Sequence, residues 1–300
     1  MSPVTVRVPA KINLQLAVGG PGEDGFHDIA TVFHAVSLYD DVTALAGDHL
    51  TVSVEGEGAD LVPVDDSNLA IVAALTLAEY ADVEPKAHLH IHKSIPVAGG
   101  MAGGSADAAG ALVALDRLWG TRIDRDELRS LAARIGSDVP FGLVGHTAVG
   151  LSRGERLTPA LARGRFHWVF AFAAEGLSTK AVYQELDRLR SGSIQAEPRV
   201  SDDLMTALRS GDAVTLGRNL SNDLHRAAVS LQPSLAMTLD VGDEYGALGS
   251  VVCGSGPTCA FLARDEEHAL DLAVALTASG ACRSVKSATG PAAGARVVES

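Results

Sequence analysis

A glycine-rich stretch in the first half of the chain has the residue types of a phosphate-binding loop. Residues 96–106 carry four glycines around one methionine, and Ser105 stands at the start of an alanine-rich helix that we predict over residues 105–119. Glycine lets the backbone adopt positive φ and approach a ligand closely. A serine cap would leave first-turn amides pointing into the loop, where they and the helix dipole favour an anion. The alternative is a flexible surface loop before a core helix.

Two charged residues could act as an acid–base pair. Asp138 follows the predicted end of a helix at Gly136, and a helix-capping role is the alternative to a catalytic one. Lys11 lies on a predicted apolar strand, where the pattern alone favours a solvated, outward-facing side chain. Spacing does not decide either case.

Aromatic residues beside a histidine suit the binding of a pyrimidine, which needs one stacked ring and hydrogen bonds at its edge. Phe26 and His27 follow Gly25 directly, whereas a second ring from Tyr183 is implied only by the family resemblance described below. Core packing is the alternative for Tyr183, because apolar residues flank it at helical spacing.

The order of predicted elements favours an α+β fold, because strands and helices are mixed without a steady alternation. Helices are predicted over 68–80 with Ser67 as cap, from Asp124 to Gly136, over 179–190 and near 267–278. Strands are predicted over 4–8, 12–16, 42–54, 88–91 and 167–173, around 251 and 260, and at the end of the chain. Glycines and a proline at 150–165 mark a boundary between two domains, 1–155 and 156–300.

Composition limits the classes of function. The formal charge of −13 over 300 residues argues against a sequence-independent grip on nucleic acid. A local pocket of amides can still bind a small anion. The three cysteines lack metal-ligand spacing and fit a reducing compartment. The sequence has no apolar segment long enough to predict secretion or membrane insertion. We therefore expect a cytoplasmic protein without nucleic-acid or membrane partners, and leave open whether it is a monomer or a weak dimer.

Three segments in the same order along the chain resemble the motifs of the GHMP kinases. They are Pro-Ala-Lys-Ile-Asn-Leu at 9–14, the glycine-rich stretch at 96–109, and Gly-Ser-Gly-Pro-Thr at 254–258. The resemblance implies a two-domain fold, with a ribosomal-protein-like N-terminal domain and a ferredoxin-like C-terminal domain. It also implies ATP as phosphate donor and Mg²⁺ as cofactor. The ATP-binding residues it implies are Pro96, Val97, Ala98, Gly99, Gly100, Met101, Ala102, Gly103, Gly104, Ser105 and Ala106.

Within this family the chain resembles kinases of isoprenoid precursor synthesis whose acceptor is a small polyol linked to cytidine diphosphate. The resemblance covers residues 24–40 and 136–141 as well as the three motifs. It implies that Asp138 is the catalytic base, that Lys11 pairs with it, and that Ser105 is a candidate Mg²⁺ ligand. The substrate-binding residues it implies are Asn13, Phe26, His27, Thr179 and Tyr183. Phe26 departs from the usual tyrosine and keeps the ring while losing the hydroxyl.

Other functions fit parts of the pattern. A homoserine, mevalonate or sugar kinase would share the ATP loop, and a non-catalytic relative would bind ATP or sugar as a sensor. A nucleic-acid-binding module fits the ribosomal-protein-like domain but not the charge. Residues 20–25 match GxGxxG, but the carboxylates of Glu23 and Asp24 would face a pyrophosphate. His88, His90 and His92 alternate along a strand, and solvated side chains are favoured over a metal site.

Overall fold

The computed structural model describes residues 2–23, 25–192 and 195–298 of the chain. Its strands are β1 (Val4–Pro21), β2 (His27–Leu45), β3 (Thr51–Gly56), β4 (His88–Lys93), β5 (Thr147–Ser152), β6 (Arg156–Pro159), β7 (Phe166–Phe172), β8 (Ser221–Asn222), β9 (Gly249–Val252), β10 (Cys259–Ala263), β11 (Ser284–Gly290) and β12 (Arg296–Val298). Its helices are α1 (Leu69–Ala81), α2 (Gly103–Trp119), α3 (Arg125–Ile135), α4 (Val139–Val144), α5 (Thr179–Leu189), α6 (Asp202–Ser210), α7 (Ala213–Arg218), α8 (His225–Leu231), α9 (Ser234–Glu244) and α10 (Glu266–Ser279). The mixed order of strands and helices confirms the predicted α+β class.

The larger sheet is built around two long antiparallel strands, β1 and β2, with β12 beside β1 and with β4 and then β3 beyond β2. The sequence pattern predicted two short strands where the structure has one continuous β1. Its register against β2 shifts between Pro9 and Ala10 and again between Asn13 and Gln15. Irregularities of this kind redirect side chains. Lys11 lies between the two shifts, on the part of β1 that borders the cleft described below.

Helix α2 packs against α1, β1 and β2, and its small residues let it approach the larger sheet closely. At Gly110, an added Cβ would lie 2.7 Å from a methyl carbon of Val42 and 2.9 Å from one of Val8. Any larger residue would push the helix away from the sheet. The close packing fixes the start of α2, and with it the glycine-rich loop, relative to β1.

The second sheet has the order β11-β7-β10-β9, with every neighbouring pair antiparallel. The chain runs from β7 through helices to β9, turns into β10, and returns through α10 to β11. This β-α-β-β-α-β succession is that of the ferredoxin-like fold and confirms the expectation for the C-terminal half.

The two sheets meet where β2 lies beside β11, with the Thr289 amide donating to Ser37 Oγ at 2.9 Å, and side chains of β7 also reach β2. The ring of His34 on β2 lies 5.8 Å from Phe166 and 6.2 Å from Trp168 on β7, measured between centroids. Strands β6 and β12, both beyond residue 155, pair with β5 and β1 of the larger sheet. The division into 1–155 and 156–300 remains a prediction.

Two predicted helix boundaries can be compared with the structure. Helix α1 is capped by Asn68, whose Oδ1 accepts from Ala70 N at 2.9 Å, and the prediction of Ser67 as the cap was wrong. The Ser67 hydroxyl instead donates to Asp65 Oδ1, which keeps it out of the helix terminus. At α3, the predicted cap Asp124 accepts from two first-turn amides, which confirms that prediction. None of the helices in the described ranges is both long and apolar enough to cross a membrane.

Candidate active site

A cleft of about 1110 Å³ runs between the glycine-rich loop, the middle of β1, the start of α5 and the segment 254–256. Both halves of the chain therefore contribute to its wall. Its charged lining includes Lys11, Lys180 and Arg153 as well as Asp138 and Asp187. Cations in the cleft can attract an anionic ligand although the chain as a whole is strongly acidic.

Lys11 and Asp138 face each other across this cleft. The Lys11 Nζ lies 3.4 Å from Asp138 Oδ2 and donates to Asn13 Oδ1 at 2.8 Å. The Lys11 side chain is buried, with 8% of its surface exposed, whereas that of Asp138 is 32% exposed. The solvated position that the strand pattern favoured for Lys11 was wrong, because the glycine-rich loop covers this face of β1. The backbone N–H of Lys11 donates to the carbonyl of Met101 in that loop.

Asn13 is fixed by a chain of hydrogen bonds on the larger sheet. Its Nδ2 donates to Thr31 Oγ1 at 2.7 Å, and the Thr31 hydroxyl donates to the carbonyl of Gln15 at 2.6 Å. These bonds assign the amide orientation, so that Oδ1 must face the Lys11 ammonium. Asn13 therefore holds Lys11 in position beside Asp138.

Asp138 occupies the N-cap position of α4, yet its side chain caps nothing. Its backbone is helical (φ −89°, ψ −13°), and no cap hydrogen bond is made by the carboxylate. The capping alternative weighed from the sequence is therefore wrong. The carboxylate remains available to Lys11 and to a ligand.

The glycine-rich loop alternates between ordinary and left-handed backbone conformations. Ala98, Gly100 and Ala102 have positive φ, at 54°, 76° and 59°. Left-handed alanines are strained, and such residues concentrate where a loop binds a ligand. The turn at Ala102 directs the chain into α2.

Helix α2 begins at Gly103, two residues before the predicted start, and Ala102 occupies the N-cap position. The prediction that Ser105 caps the helix was wrong, because the left-handed turn at Ala102 starts the helix earlier. The Ala102 side chain cannot accept a hydrogen bond, so no cap side chain pairs with the first amides of the helix. Ser105 lies in the first turn and lines the cleft. Within the predicted phosphate-binding turn at 99–105, the amides of residues 103–105 therefore belong to the first turn of α2.

The third motif, 254–258, packs directly on the glycine-rich loop. An added Cβ at Gly99 would lie 2.9 Å from Thr258 Oγ1, and one at Gly254 would lie 3.1 Å from the carbonyl of Gly100. Gly254 also has a φ of 53°, and a Cβ added to it would lie 3.4 Å from Lys11 Nζ. The two glycine segments together enclose one side of the cleft.

The predicted pyrimidine-binding residues lie together at the other end. The ring centroids of His27 and Tyr183 are 5.0 Å apart, and the Arg153 guanidinium lies 4.1 Å from the centroid of the exposed Phe26 ring. Burial, with a smaller effect of the Asp138 charge, raises the pKa of Tyr183 to about 12. Thr179 lies at the start of α5 with its hydroxyl 3.0 Å from that of Ser255.

A buried charged cluster lies beneath the start of α2. Lys93 Nζ donates to Asp40 Oδ2 at 2.5 Å and to Asp107 Oδ2 at 2.6 Å. Asp40 Oδ1 also accepts from the amides of Ser94 and Ile95, at the beginning of the glycine-rich loop. The cluster therefore ties the loop to β2, β4 and α2.

Most of the predicted site residues line the cleft, but Met101 and Ala106 do not. Their side chains are buried in the core, at 1% and 3% exposure. Strand β1 ends at Pro21 and the next element is the antiparallel strand β2, not a helix, so this segment is not the strand–helix turn of a dinucleotide site. Asp24 lies outside the described residues.

The three alternating histidines do not line the cleft. His88 bonds to Thr51 and Ser53, while His90 and His92 contact Glu55. No group of three or more His, Cys, Asp or Glu side chains that could hold a metal occurs in residues 2–23, 25–192 and 195–298.

Sequence reasoning missed two residues beside the predicted pyrimidine site. Asp187 Oδ1 lies 2.8 Å from His27 Nε2, and Arg153 covers Phe26. Asp187 could have been found, because it follows Tyr183 and Thr179 at intervals of four along α5 and so shares their face. Arg153 lies in the turn between β5 and β6, and no local pattern connects it with Phe26.

Comparison with known families and proteins agrees with this arrangement. The family model of the GHMP kinases N terminal domain matches residues 68–147, and the GHMP kinases C terminal model matches residues 204–282. The 4-diphosphocytidyl-2-C-methyl-D-erythritol kinase of Streptomyces avermitilis is 58% identical over 98% of this chain and 99% of its own. The protein of the same name from Mycobacterium tuberculosis strain H37Rv is 54% identical, over 98% of this chain and 93% of its own.

Solved structures give the same result. A crystal structure of 4-(cytidine 5'-diphospho)-2C-methyl-D-erythritol kinase superposes with a TM-score of 0.77 at 31% identity, covering 95% of this chain and 98% of that one. Homoserine kinase from Cytophaga hutchinsonii gives a TM-score of 0.74 at 17% identity, over 99% and 98%, and so shares the fold. With matching models in both halves and close relatives along its length, the chain belongs to the GHMP kinase family.

Proposed function

We propose that this protein transfers the γ-phosphate of ATP to the 2-hydroxyl of 4-(cytidine 5'-diphospho)-2-C-methyl-D-erythritol, in the non-mevalonate route to isoprenoid precursors. The main support for the proposal is that one cleft contains all three groups of predicted site residues. It brings an amide-lined glycine loop, the Lys11–Asp138 pair and the Phe26–His27–Tyr183 group together. The full-length relatives described above carry the name of this activity, which supports the choice of acceptor.

The two halves have different parts in this proposal. Residues 1–155 supply the ATP loop and the catalytic pair, and residues 156–300 add Thr179 and Tyr183 to the acceptor pocket. The backbone amides of 99–105 hold the triphosphate, as unpaired donors at a helix start favour an anion. The other lining residues of the loop, among them Pro96, Val97 and Ala98, shape the nucleotide side of the cleft.

Asp138 is the base of the proposed reaction. It accepts the proton of the acceptor hydroxyl as that oxygen attacks the γ-phosphorus, and ADP leaves. Lys11 stabilises the negative charge that the hydroxyl oxygen develops, and Asn13 keeps the ammonium in place. Phosphoryl transfer depends mainly on this kind of positioning and charge stabilisation.

The donor set fits Mg²⁺ bound largely through the nucleotide. Mg²⁺ prefers oxygen ligands, keeps several waters, and in kinases uses one or two protein groups plus phosphate oxygens. The Ser105 hydroxyl and the carboxylates of Asp138 and Asp107 are oxygen donors on the cleft wall. Ser105, in the first turn of α2, is the residue we propose to hold the ion, which would neutralise charge on the transferred phosphate.

A coupled assay of ADP production tests the proposal directly. We expect ADP release from ATP and Mg²⁺ with the cytidine-diphosphate methylerythritol acceptor, and little with homoserine, mevalonate or galactose. These acceptors have no base to stack on the aromatic side chains of the acceptor pocket, so they would forgo those contacts. Turnover with one of them instead would assign a different kinase activity. The absence of ADP production with every one of these acceptors would favour a non-catalytic, ligand-sensing relative.

Replacing Phe26 by alanine is expected to raise the KM for the cytidine acceptor about tenfold and to leave the KM for ATP unchanged. Loss of an aromatic ring that stacks on a base typically costs about 1–3 kcal/mol. Steady-state kinetics with each substrate varied in turn measures the difference. Tyr245→Ala is a matched control, because that ring is equally exposed but lies outside the cleft. Equal increases in both KM values would contradict the cytidine role.

The proposed partners are therefore small molecules, ATP and the cytidine-linked polyol, and we propose the cytoplasm as the compartment. The three cysteines are unpaired and two of them are buried, as suits a reducing environment. The reaction itself requires neither nucleic acid nor a membrane.

A further inference from the structure

The acceptor end of the cleft contains a histidine–carboxylate pair that no catalytic step uses. His27 is 9% exposed and lines the cleft, with its Nε2 2.8 Å from Asp187 Oδ1. Asp187 projects from α5, one helical turn after Tyr183, whose ring lies against His27.

The chemistry of the pair fixes where the proton lies. An ionised carboxylate can only accept hydrogen bonds, so Nε2 must carry the hydrogen. In a neutral imidazole the other nitrogen, Nδ1, is then an acceptor. In the part of the chain that the structure describes, Nδ1 of His27 has no protein partner. Asp187 thus leaves one acceptor of defined type on the cleft wall.

An acceptor at this position distinguishes the two common pyrimidines. Cytosine carries an amino group at its 4-position, which can donate to Nδ1, whereas uracil carries a carbonyl oxygen there, which would face the Nδ1 lone pair. A site that hydrogen-bonds a group on one ligand rejects the analogue that lacks it, since a buried polar atom is then left unpaired.

We propose that Asp187 is a positioning residue that fixes the Nε2–H tautomer of His27 and thereby makes the acceptor site select cytidine over uridine. This inference rests on the proposed function for the class of acceptor, and it adds the residue that sets base specificity. The Tyr183 ring lies beside the imidazole, tilted by 42°, while the carboxylate accepts the hydrogen on Nε2.

Binding of CDP and UDP to the purified full-length protein tests the proposal without requiring turnover. Calorimetry in one buffer at one fixed pH compares the two nucleotides under the same conditions. We expect CDP to bind about tenfold or more tightly than UDP. In Asp187→Ala the ratio of the UDP Kd to the CDP Kd should fall toward one, because CDP binds more weakly. Asp187→Glu should restore much of this ratio. Glu185→Gln is the matched control, because it removes one charge from the same helix outside the cleft.

A spectroscopic measurement separates tautomer control from mere structural support. Nitrogen-15 NMR, with the His27 signal assigned by comparison with His27→Gln, should show a protonated Nε2 and an unprotonated Nδ1 in the wild type. In Asp187→Ala the signal should move toward a mixture of the two tautomers. An unprotonated Nε2 in the wild type, equal affinity for CDP and UDP, or a full preference retained in Asp187→Ala would each overturn the proposal.

The outcomes also separate this inference from the proposed function. If no phosphate reaches the cytidine acceptor but CDP is preferred in an Asp187-dependent way, the proposed reaction fails and this inference holds. Normal turnover with equal CDP and UDP affinity would overturn the inference alone.

Discussion

Asp138→Asn is expected to lower kcat by at least about a hundredfold while leaving the KM for ATP close to the wild-type value. Removing a general base typically costs about 10²–10⁴ in rate. The substitution keeps the size and shape of the side chain and removes its negative charge and its capacity to take a proton. The glycine loop that holds the nucleotide is built from other residues, so ATP binding should survive. Single-turnover and steady-state kinetics with the cytidine acceptor measure both parameters.

A matched control for this variant is Asp126→Asn on α3. Asp126 is 84% exposed and contacts Arg129 rather than the cleft, so the substitution removes the same charge without touching the site. Its kcat should stay near the wild-type value. Near-normal turnover in purified Asp138→Asn would end the assignment of this residue as the base.

A double variant tests whether Asp138 and Lys11 act as a unit. Each side chain is 3.4 Å from the other, and each has its role only beside the partner. For residues that act together, removing the second after the first costs little. Lys11→Gln combined with Asp138→Asn should therefore be about as slow as the slower single variant. Fully additive losses would indicate that the two residues contribute separately.

The parts of the site that the sequence predicted are those encoded within a few neighbouring residues. Glycines in a row before a helix of small residues define the loop at 99–105, because backbone freedom and close packing are properties of the residues themselves. The helix after the loop was predicted, and only its start was misplaced. A left-handed alanine at 102 begins the turn early, and no propensity rule predicts that conformation for alanine.

Burial of Lys11 could not be predicted from its strand. A lysine between apolar neighbours alternates to the outer face of β1, and an outer face is ordinarily solvated. Here a segment some ninety residues later in the chain covers that face, and the Lys11 amide bonds to Met101 within it. Only the resemblance to a family with known motifs gave the lysine a catalytic role.

The contacts around Phe26 and His27 show the same limit. Asp187 and Arg153 reach these residues from α5 and from the β5–β6 turn, at sequence separations that local patterns do not span. The helical spacing from Thr179 to Asp187 was present in the sequence but gained meaning only once α5 was known to border the cleft. Long-range contacts of this kind depend on the whole fold.

Lys93→Met is expected to lower the free energy of unfolding by about 3–5 kcal/mol near pH 8, the cost of breaking a buried ion pair by removing one partner. Lys93 and its two carboxylate partners are almost fully buried. Denaturant unfolding measures the change. Lys86→Met is the control, since its pair with Glu84 is largely exposed and screened by solvent, so its loss should change the free energy of unfolding little.

The loss of unfolding free energy in Lys93→Met should also depend on pH, and the buried cluster of the wild type shows in which direction. Burial, with a smaller opposing effect of Lys93, raises the pKa of Asp107 to about 7, and its Oδ1 has no partner among the described residues. A carboxyl whose pKa is raised in the folded state stabilises the fold most at a pH below its ordinary pKa. That contribution is lost as the pH rises through the folded-state pKa of about 7. Without the Lys93 ammonium the pKa of Asp107 should rise further. Acidification from pH 8 then neutralises the unpaired carboxyl, and the loss of unfolding free energy in Lys93→Met becomes smaller.

Adding Asp107→Asn to Lys93→Met should likewise recover at least about 1 kcal/mol of unfolding free energy at high pH. If the loss of unfolding free energy in Lys93→Met stayed constant with pH and was unchanged by adding Asp107→Asn, lost packing rather than an unpaired charge would be its cause.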